Sequence, residues 1–415
     1  MKNRSYAAVG TLLLATLACR DDSTAPTGPT GTVSQASVAG VELTFQQMSG
    51  GQAHSCALAS GNAAWCWGDN STGALGTGSA TGPEGCFNFG ADPIPCSTRP
   101  TPVSGGRLFR GISAGDRYTC AVTTEFQAYC WGLNEFGKLG IDGVVGQSAT
   151  PLAVAGGHRF RQIEAGAFHT CGVSYPDNWL YCWGYNTYGQ LGDGTFTERR
   201  KPVLVVGGLR FKQVGVGVWH TCALTTTDRV YCWGLNPSGQ LGDSTSAARR
   251  ARPAKVAGGH QFRWVDAGYE HTCAVTTTYR AWCWGSGRQG QLGNGKTYLS
   301  FWPRAVSGGL SIRRLSAGWL HTCAETTNSR AWCWGSNAVG QIGAGMAPGT
   351  YAMTPVAVTG DLLFAQLSAG ASHTCAKTSL GAGYCWGHNF YAELGNGSSG
   401  LGASTIAPNP VSGPS

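Results

Sequence analysis

One phrase, His-Thr-Cys-Ala followed by a second cysteine inside Trp-Cys-Trp-Gly, returns with small variations seven times along the 415 residues. The first cysteines of the seven copies are Cys56, Cys120, Cys171, Cys222, Cys273, Cys323 and Cys375, spaced by 64, 51, 51, 51, 50 and 52 residues. A unit of about 50 residues cannot bury a core alone, so the copies must pack on one another. Within each unit a segment such as Arg159–Gly166 comes first, then the two cysteine phrases, then Gly-Gln-Leu-Gly, then a loop reaching a proline. Each piece reads as a short strand bounded by Gly or polar residues. In the first strand of the third unit, Phe160, Gln162 and Glu164 alternate with Arg161, Ile163 and Ala165.

The next two strands form a hairpin whose register the cysteines report. In the fifth unit, Cys273 faces Cys283, Thr272 faces Trp284, Ala274 faces Trp282 and Val275 faces Ala281. Period-two alternation puts both cysteines on one face and both tryptophans on the other. Opposite residues of an antiparallel pair lie within disulfide reach. The expected pairs are Cys56–Cys66, Cys120–Cys130, Cys171–Cys182, Cys222–Cys232, Cys273–Cys283, Cys323–Cys333 and Cys375–Cys385. An insertion in the first unit supplies Cys86–Cys96, and Cys19 is left over from the 17 cysteines. Zinc would want Cys-x-x-Cys and further partners, and a thioredoxin-type site the same motif, which is absent. The cysteines are therefore read as scaffold.

Four short strands per unit, seven times over, predict an all-β fold: a seven-bladed β-propeller of four-stranded antiparallel blades. The 64 glycines and the charged fraction of 12% suit a turn-rich β protein and argue against disorder. The first unit lacks the Pro-x-Val strand that precedes its equivalents, and the chain ends on an orphan of that type, Pro408–Gly413. Closure is accordingly expected by the C-terminal strand joining the first blade.

Ahead of the repeats, Lys2 and Arg4 precede an apolar stretch, Tyr6 to Ala18, ending in Leu17-Ala18-Cys19. This reads as a secretory signal and, ending on a cysteine, resembles a bacterial lipoprotein signal over residues 1–18, which implies Cys19 as the lipidated residue. It is too short to span a bilayer permanently. Residues 19–40, rich in Ser, Thr, Pro and Gly, form a flexible linker of about 25 Å, and residues 41–415 the propeller. The formal charge of +8 falls to +6 once Lys2 and Arg4 are removed (8 − 2). The runs Arg199–Lys201, Arg249–Arg252 and Arg313-Arg314 read as solvated loop charges.

The Ala-Gly-x-x-His-Thr, Trp-Gly-x-Asn and Gly-Gln-Leu-Gly phrases resemble the RCC1-type repeat of the regulator of chromosome condensation family, over residues 41–413. The resemblance implies a seven-bladed propeller that acts by surface recognition. The eponymous member promotes nucleotide exchange on a small GTPase and docks on chromatin, and some secreted bacterial propellers of this type bind β-lactamases. A cysteine pair in every blade departs from the cytosolic pattern and fits an oxidising compartment.

A recurring histidine (His54, His169, His220, His271, His321, His373) gives way to Tyr118 in the second unit, which marks it as structural rather than metal-binding. The string Gly111-Ile-Ser-Ala-Gly115 places Ser113 where other units carry Glu164 and Ser316, at the end of a blade strand, and so is no nucleophile elbow. Function on a repeat scaffold lives in its irregularities. The first unit's loop, 77–102, is braced by Cys86–Cys96 and carries Phe87 and Phe89. The fifth unit's loop carries Tyr298, Phe301 and Trp302. These five are the candidate partner-binding residues.

The function expected is a non-catalytic protein-binding scaffold of the bacterial envelope or surface. The alternatives are a carbohydrate or cell-wall binding module, an enzyme with a site at the propeller axis, and guanine-nucleotide exchange by family analogy. No cofactor, metal or nucleic acid is expected, membrane contact only through the lipid anchor, and a monomer.

Overall fold

The computed structural model describes residues 43–86, 92–143 and 146–414. They form seven antiparallel sheets, six of four consecutive strands and one, the first, with an added fifth strand at its edge. Blade 5 is typical: Phe262–Ala267, His271–Thr276, Ala281–Gly285 and Ser300–Ala305. Its central hairpin has the register read from the sequence, with Thr272, Cys273, Ala274 and Val275 facing Trp284, Cys283, Trp282 and Ala281. All eight cysteine pairs are disulfides. The turns of Gly-x-x-His type and the long loops between third and fourth strands define an upper face. The short turns between second and third strands, and the connections between blades, define a lower face.

Two expectations need correction. The first strand of each blade does not alternate strictly: all seven carry a bulge after the aromatic or Ile position, as between Phe160 and Gln162. The extra residue brings Phe160 and Ile163 together into the core while Gln162 turns aside. Nor does the C-terminal strand join the first blade. Thr405–Pro410 pairs with Gly383–Gly387 of blade 7. Blade 1 already owns its fourth strand, Ile94–Pro102, because the Pro-x-Val segment closes a unit rather than opening one.

The ring is instead closed by side chains, in the same way at every interface. Each blade's disulfide packs beneath the next blade's tryptophan: Cys222–Cys232 against Trp284, and, across the closing seam, Cys375–Cys385 against Trp67. The seven tryptophans are fully buried and each stabilises its interface by a few kcal/mol. Each indole donates to a carbonyl in the Gly-Gln-Leu-Gly turn of the blade before, as Trp284 Nε1 does to Gln240 O at 2.9 Å and Trp67 Nε1 to Glu393 O at 2.8 Å. Gly242, at φ +64°, ends that turn directly under the ring; a Cβ there would lie 2.6 Å from Trp284 Nε1. Only glycine fits.

The repeated histidine belongs to the same joint. His271 Nε2 lies 2.9 Å from Thr322 Oγ1 of blade 6, and that hydroxyl donates to Gln291 O, which also accepts Trp334 Nε1. The threonine's single proton is committed to the carbonyl, so the imidazole donates from Nε2, and Nδ1 has no partner. Blade 2 varies this as a pair. Tyr118 replaces the histidine and reaches Thr170 Oγ1 at 2.9 Å, while Lys138 replaces the glutamine. Lys138 is fully buried, donates to Asp116 O and Ala167 O, and sits 4.7 Å from the centre of the Tyr118 ring. Burial pulls its ammonium down to about 8.

At the top of the axis, seven glycines close the ring. A Cβ on Gly268 would stand 2.2 Å from Gly318 O, and one on Gly318 would stand 2.4 Å from Gly370 O. Gly268→Ala is therefore expected to cost about 1–3 kcal/mol in urea unfolding. Gly111→Ala, whose Cβ would meet only Gln47 Oε1 at 4.0 Å, should stay within about 0.5 kcal/mol. Equal losses would show that the axial ring is not tightly closed.

Candidate functional site

The candidate residues read from the sequence fall in different places. Cys19, Phe87 and Phe89 lie outside the described residues. The insertion folds as an added hairpin, Glu84–Cys86 pairing with Ile94–Pro102 to make a fifth strand of blade 1. Tyr298 is 50% and Trp302 45% exposed, with the Arg304 guanidinium over the Trp302 ring. Phe301 is half-buried and lies over Gly239 of blade 4. Two blades separate this loop from the insertion along the shorter arc, so the two do not make one patch. Ser113 sits in the strand Phe109–Ala114, donating to Glu164 and accepting from Ala165 N, as the repeat alignment requires.

The upper face holds an aromatic group that the sequence reading passed over. Phe168 and Trp219 occupy the last variable position of Gly-x-x-His in blades 3 and 4, and their rings stack at 4.4 Å and 17°. Tyr188 meets Trp219 edge-on at 5.5 Å, and Tyr185 lies 4.7 Å from Phe136. Trp219 and Phe168 are held by their own backbones, whose carbonyls accept Leu235 N and Tyr185 N. All five rings are partly exposed. Polar groups border them, including Arg249, which donates to Thr187 O, and exposed Glu135. The signal was present in the chain: Gly and His repeat at these turns while the two residues between them change in every blade.

Across the axis, a cleft of about 410 Å³ is lined by Gln52, Asp69, Arg117, Trp319, His388 and Tyr391. Glu393 stands where blades 3 to 6 carry glutamine, and its spare oxygen lies 2.7 Å from His388 Nδ1. Burial works to lower the His388 pKa, but the hydrogen bond and charge of Glu393 outweigh it and leave it raised. Burial raises Asp69 despite its bonds to Ser71. Deeper on the axis, burial pushes Glu164 up to about 7 and Asp266 to about 6, although both keep some contact with the axial space. Asp266 accepts Ala317 N, and Glu164 accepts Ser113 and Gln162. These acids bond neighbouring strands. Among the described residues no group of three or more His, Cys, Asp or Glu could hold a metal.

The upper face thus combines a partly exposed aromatic cluster with a polar border, the make-up of an interface core and rim. The model described as the RCC1-like domain matches residues 16–311, and that of the regulator of chromosome condensation repeat matches 312–341 and 364–393. The chain belongs to the RCC1-like family. It is 31% identical to the ultraviolet-B receptor UVR8 of Arabidopsis thaliana over 85% of this chain and 79% of that protein. Human WBSCR16 superposes with a TM-score of 0.73 at 20% identity, over 84% of this chain and 94% of that one. Yeast RCC1 bound to Kap60 gives 0.72 at 19%, over 84% and 83%. At those identities the structures speak for the fold alone.

Proposed function

We propose that this propeller is a non-catalytic protein-binding scaffold of the bacterial cell envelope, and that its partner docks on the upper face. The observation that carries this reading is the rigid cluster of Phe136, Phe168, Tyr185, Tyr188 and Trp219 beside the axis. Pre-stacked aromatics lose little side-chain entropy on binding, and buried aromatic centres with polar rims dominate protein interfaces. A propeller of this family has been solved bound to a protein, Kap60. The envelope setting rests on the signal-like leader and on a disulfide in every blade. The cleft around Trp319 and Tyr391, with Asp69 and Arg117 beside them, favours a second reading in which the same face takes a glycan.

Immobilised oxidised protein exposed to envelope extract is expected to retain a protein ligand. Trp219→Ala and Phe168→Ala should each weaken that purified ligand's binding by about 30-fold or more, with unchanged melting. Tyr298→Ala and Trp302→Ala at the rim should change it less than about threefold. If only the rim variants weaken binding, the upper-face site is wrong. If soluble cell-wall glycans bind instead and Trp319→Ala abolishes that, the second reading replaces the first.

A further inference from the structure

We propose that the lower face rests on an anionic membrane surface, so that membrane contact extends beyond the lipid anchor. The proposal rests on the envelope reading of the leader but uses the opposite face from partner binding.

The chain rises into blade 1 from the lower side. Ser60 N, in the lower turn of blade 1, donates to Thr44 O, and Phe45 N donates to Gly381 O in the lower turn of blade 7. The described chain therefore enters the ring on this face. Beside that point stands Leu380, 88% exposed, more than any other large hydrophobic among the described residues. Leu108, Tyr175, Tyr279 and Leu363, on the lower turns and blade connections, are 40–50% exposed as well.

Around these side chains lie cations. Arg110, Arg159, Arg210, Arg263, Arg280 and Arg314 belong to the lower ends of the first strands, the blade connections and the lower turns, and none has an ion pair among the described residues. Four of them lie over aromatics of the lower turns. Arg110 and Arg159 both cover Phe126, Arg159 also covers Tyr175, Arg210 covers Trp179 and Arg263 covers Tyr279. The acids Asp228, Glu325 and Asp361 are already matched to further cations, Lys212, Arg313 and Arg330. Among the described residues that leaves Glu125 and Asp177 against these six arginines and the equally unpaired Arg107 and Arg229. Burial and the neighbouring cations Arg313 and Arg263 lower the pKa of Arg314, a sign of how closely like charges are gathered here.

Arginines interleaved with exposed Tyr and Leu and half-buried Trp179 are the composition that the headgroup layer selects, since the cations meet anionic lipid while the apolar tips enter the acyl boundary. A duplex nucleic acid would use the charge but leave Leu380 and Leu363 unoccupied. On the envelope reading, lipidation of Cys19 would tether the chain to the bilayer and strengthen a docking that the free protein already shows.

The test uses the chain from Arg20 onward, which contains the whole closed ring without the apolar leader or Cys19. Sedimentation with phosphatidylcholine vesicles containing about 30 mol% phosphatidylglycerol is compared with pure phosphatidylcholine. Binding is expected only to the anionic vesicles and should weaken as salt rises. R110E/R159E/R210E should lower the partition coefficient by about 100-fold or more, and Leu380→Asp by several-fold. The outer-edge variant R200E/K201E/R252E has the same net charge and should stay within about threefold of the parent. Equal losses in the two triple variants would reduce the effect to net charge and overturn the proposal. So would absence of binding to the anionic vesicles, or duplex DNA displacing the protein from them. Failure to find a protein ligand for the upper face would leave this result unaffected.

Discussion

Between pH 7 and pH 5 the urea midpoint is expected to fall steeply. Burial lowers the imidazoles of His169, His220, His271 and His373 to about 3, and those of His54 and His321 to about 4. Folded pKa values below the unfolded value of about 6.5 mean that the stabilisation is complete above pH 6.5 and is lost as pH falls toward 3–4. At pH 5 the unfolded chain holds six histidine protons that the folded ring refuses. Glu164 and Asp266 act with the opposite sign: their raised pKa values keep protons on the folded state that the unfolded chain has released. The net uptake on unfolding is then about four protons, or about 5 kcal/mol per pH unit at most. Urea midpoints at pH 7, 6 and 5 measure this directly. A flat profile would mean that the histidines accept protons without opening the joints, against their complete burial.

The second large effect is reduction. Each blade disulfide closes a loop of 10 or 11 residues, worth about 2–3 kcal/mol by chain entropy. Seven such loops sum to more than the about 5–15 kcal/mol that a folded protein usually has to spare. The sulfurs also form the floor beneath the seven tryptophans, so their loss loosens packing as well as the unfolded-state constraint. A chain reduced in denaturant and diluted into buffer with excess thiol is expected not to recover native near-ultraviolet circular dichroism. The same dilution under oxidising exchange should recover it. Because every blade cysteine is 0% exposed, the folded protein should resist the same thiol for far longer than the unfolded chain. Recovery of the native spectrum while fully reduced would demote the disulfides to decoration on a self-sufficient ring.

The repeat made the architecture readable because identical environments recur. A position that stays His, Cys, Trp or Gly through most units must meet the same neighbour each time, and pairing of Cys273 with Cys283 followed from period-two geometry alone. What the repeat hides is phase. A periodic string does not mark where a unit starts, and Pro408–Pro410 looked like a missing first strand when it was the last strand of its own blade. The bulge was hidden for a related reason: an extra residue inside a strand changes which side chain points inward without changing composition. The upper-face aromatics were missed because long insertions drew attention, while Phe168 and Trp219 vary within a turn of constant length. Likewise Tyr118 read as a lone exception until the fold set Lys138 against it.

The closing seam between blades 7 and 1 is built like the other six. Gln366 bonds both backbone groups of Met48 there, as Gln213 does for Val265 within the ring. No strand is shared across it, so no blade depends on the chain's other end to complete its hydrogen bonding. One unit of sequence is one whole mechanical part. Copying or deleting such a unit leaves every remaining sheet intact and alters only the angle each joint must span. The joint itself is permissive, since tyrosine and lysine replace histidine and glutamine in blade 2 without breaking the circle.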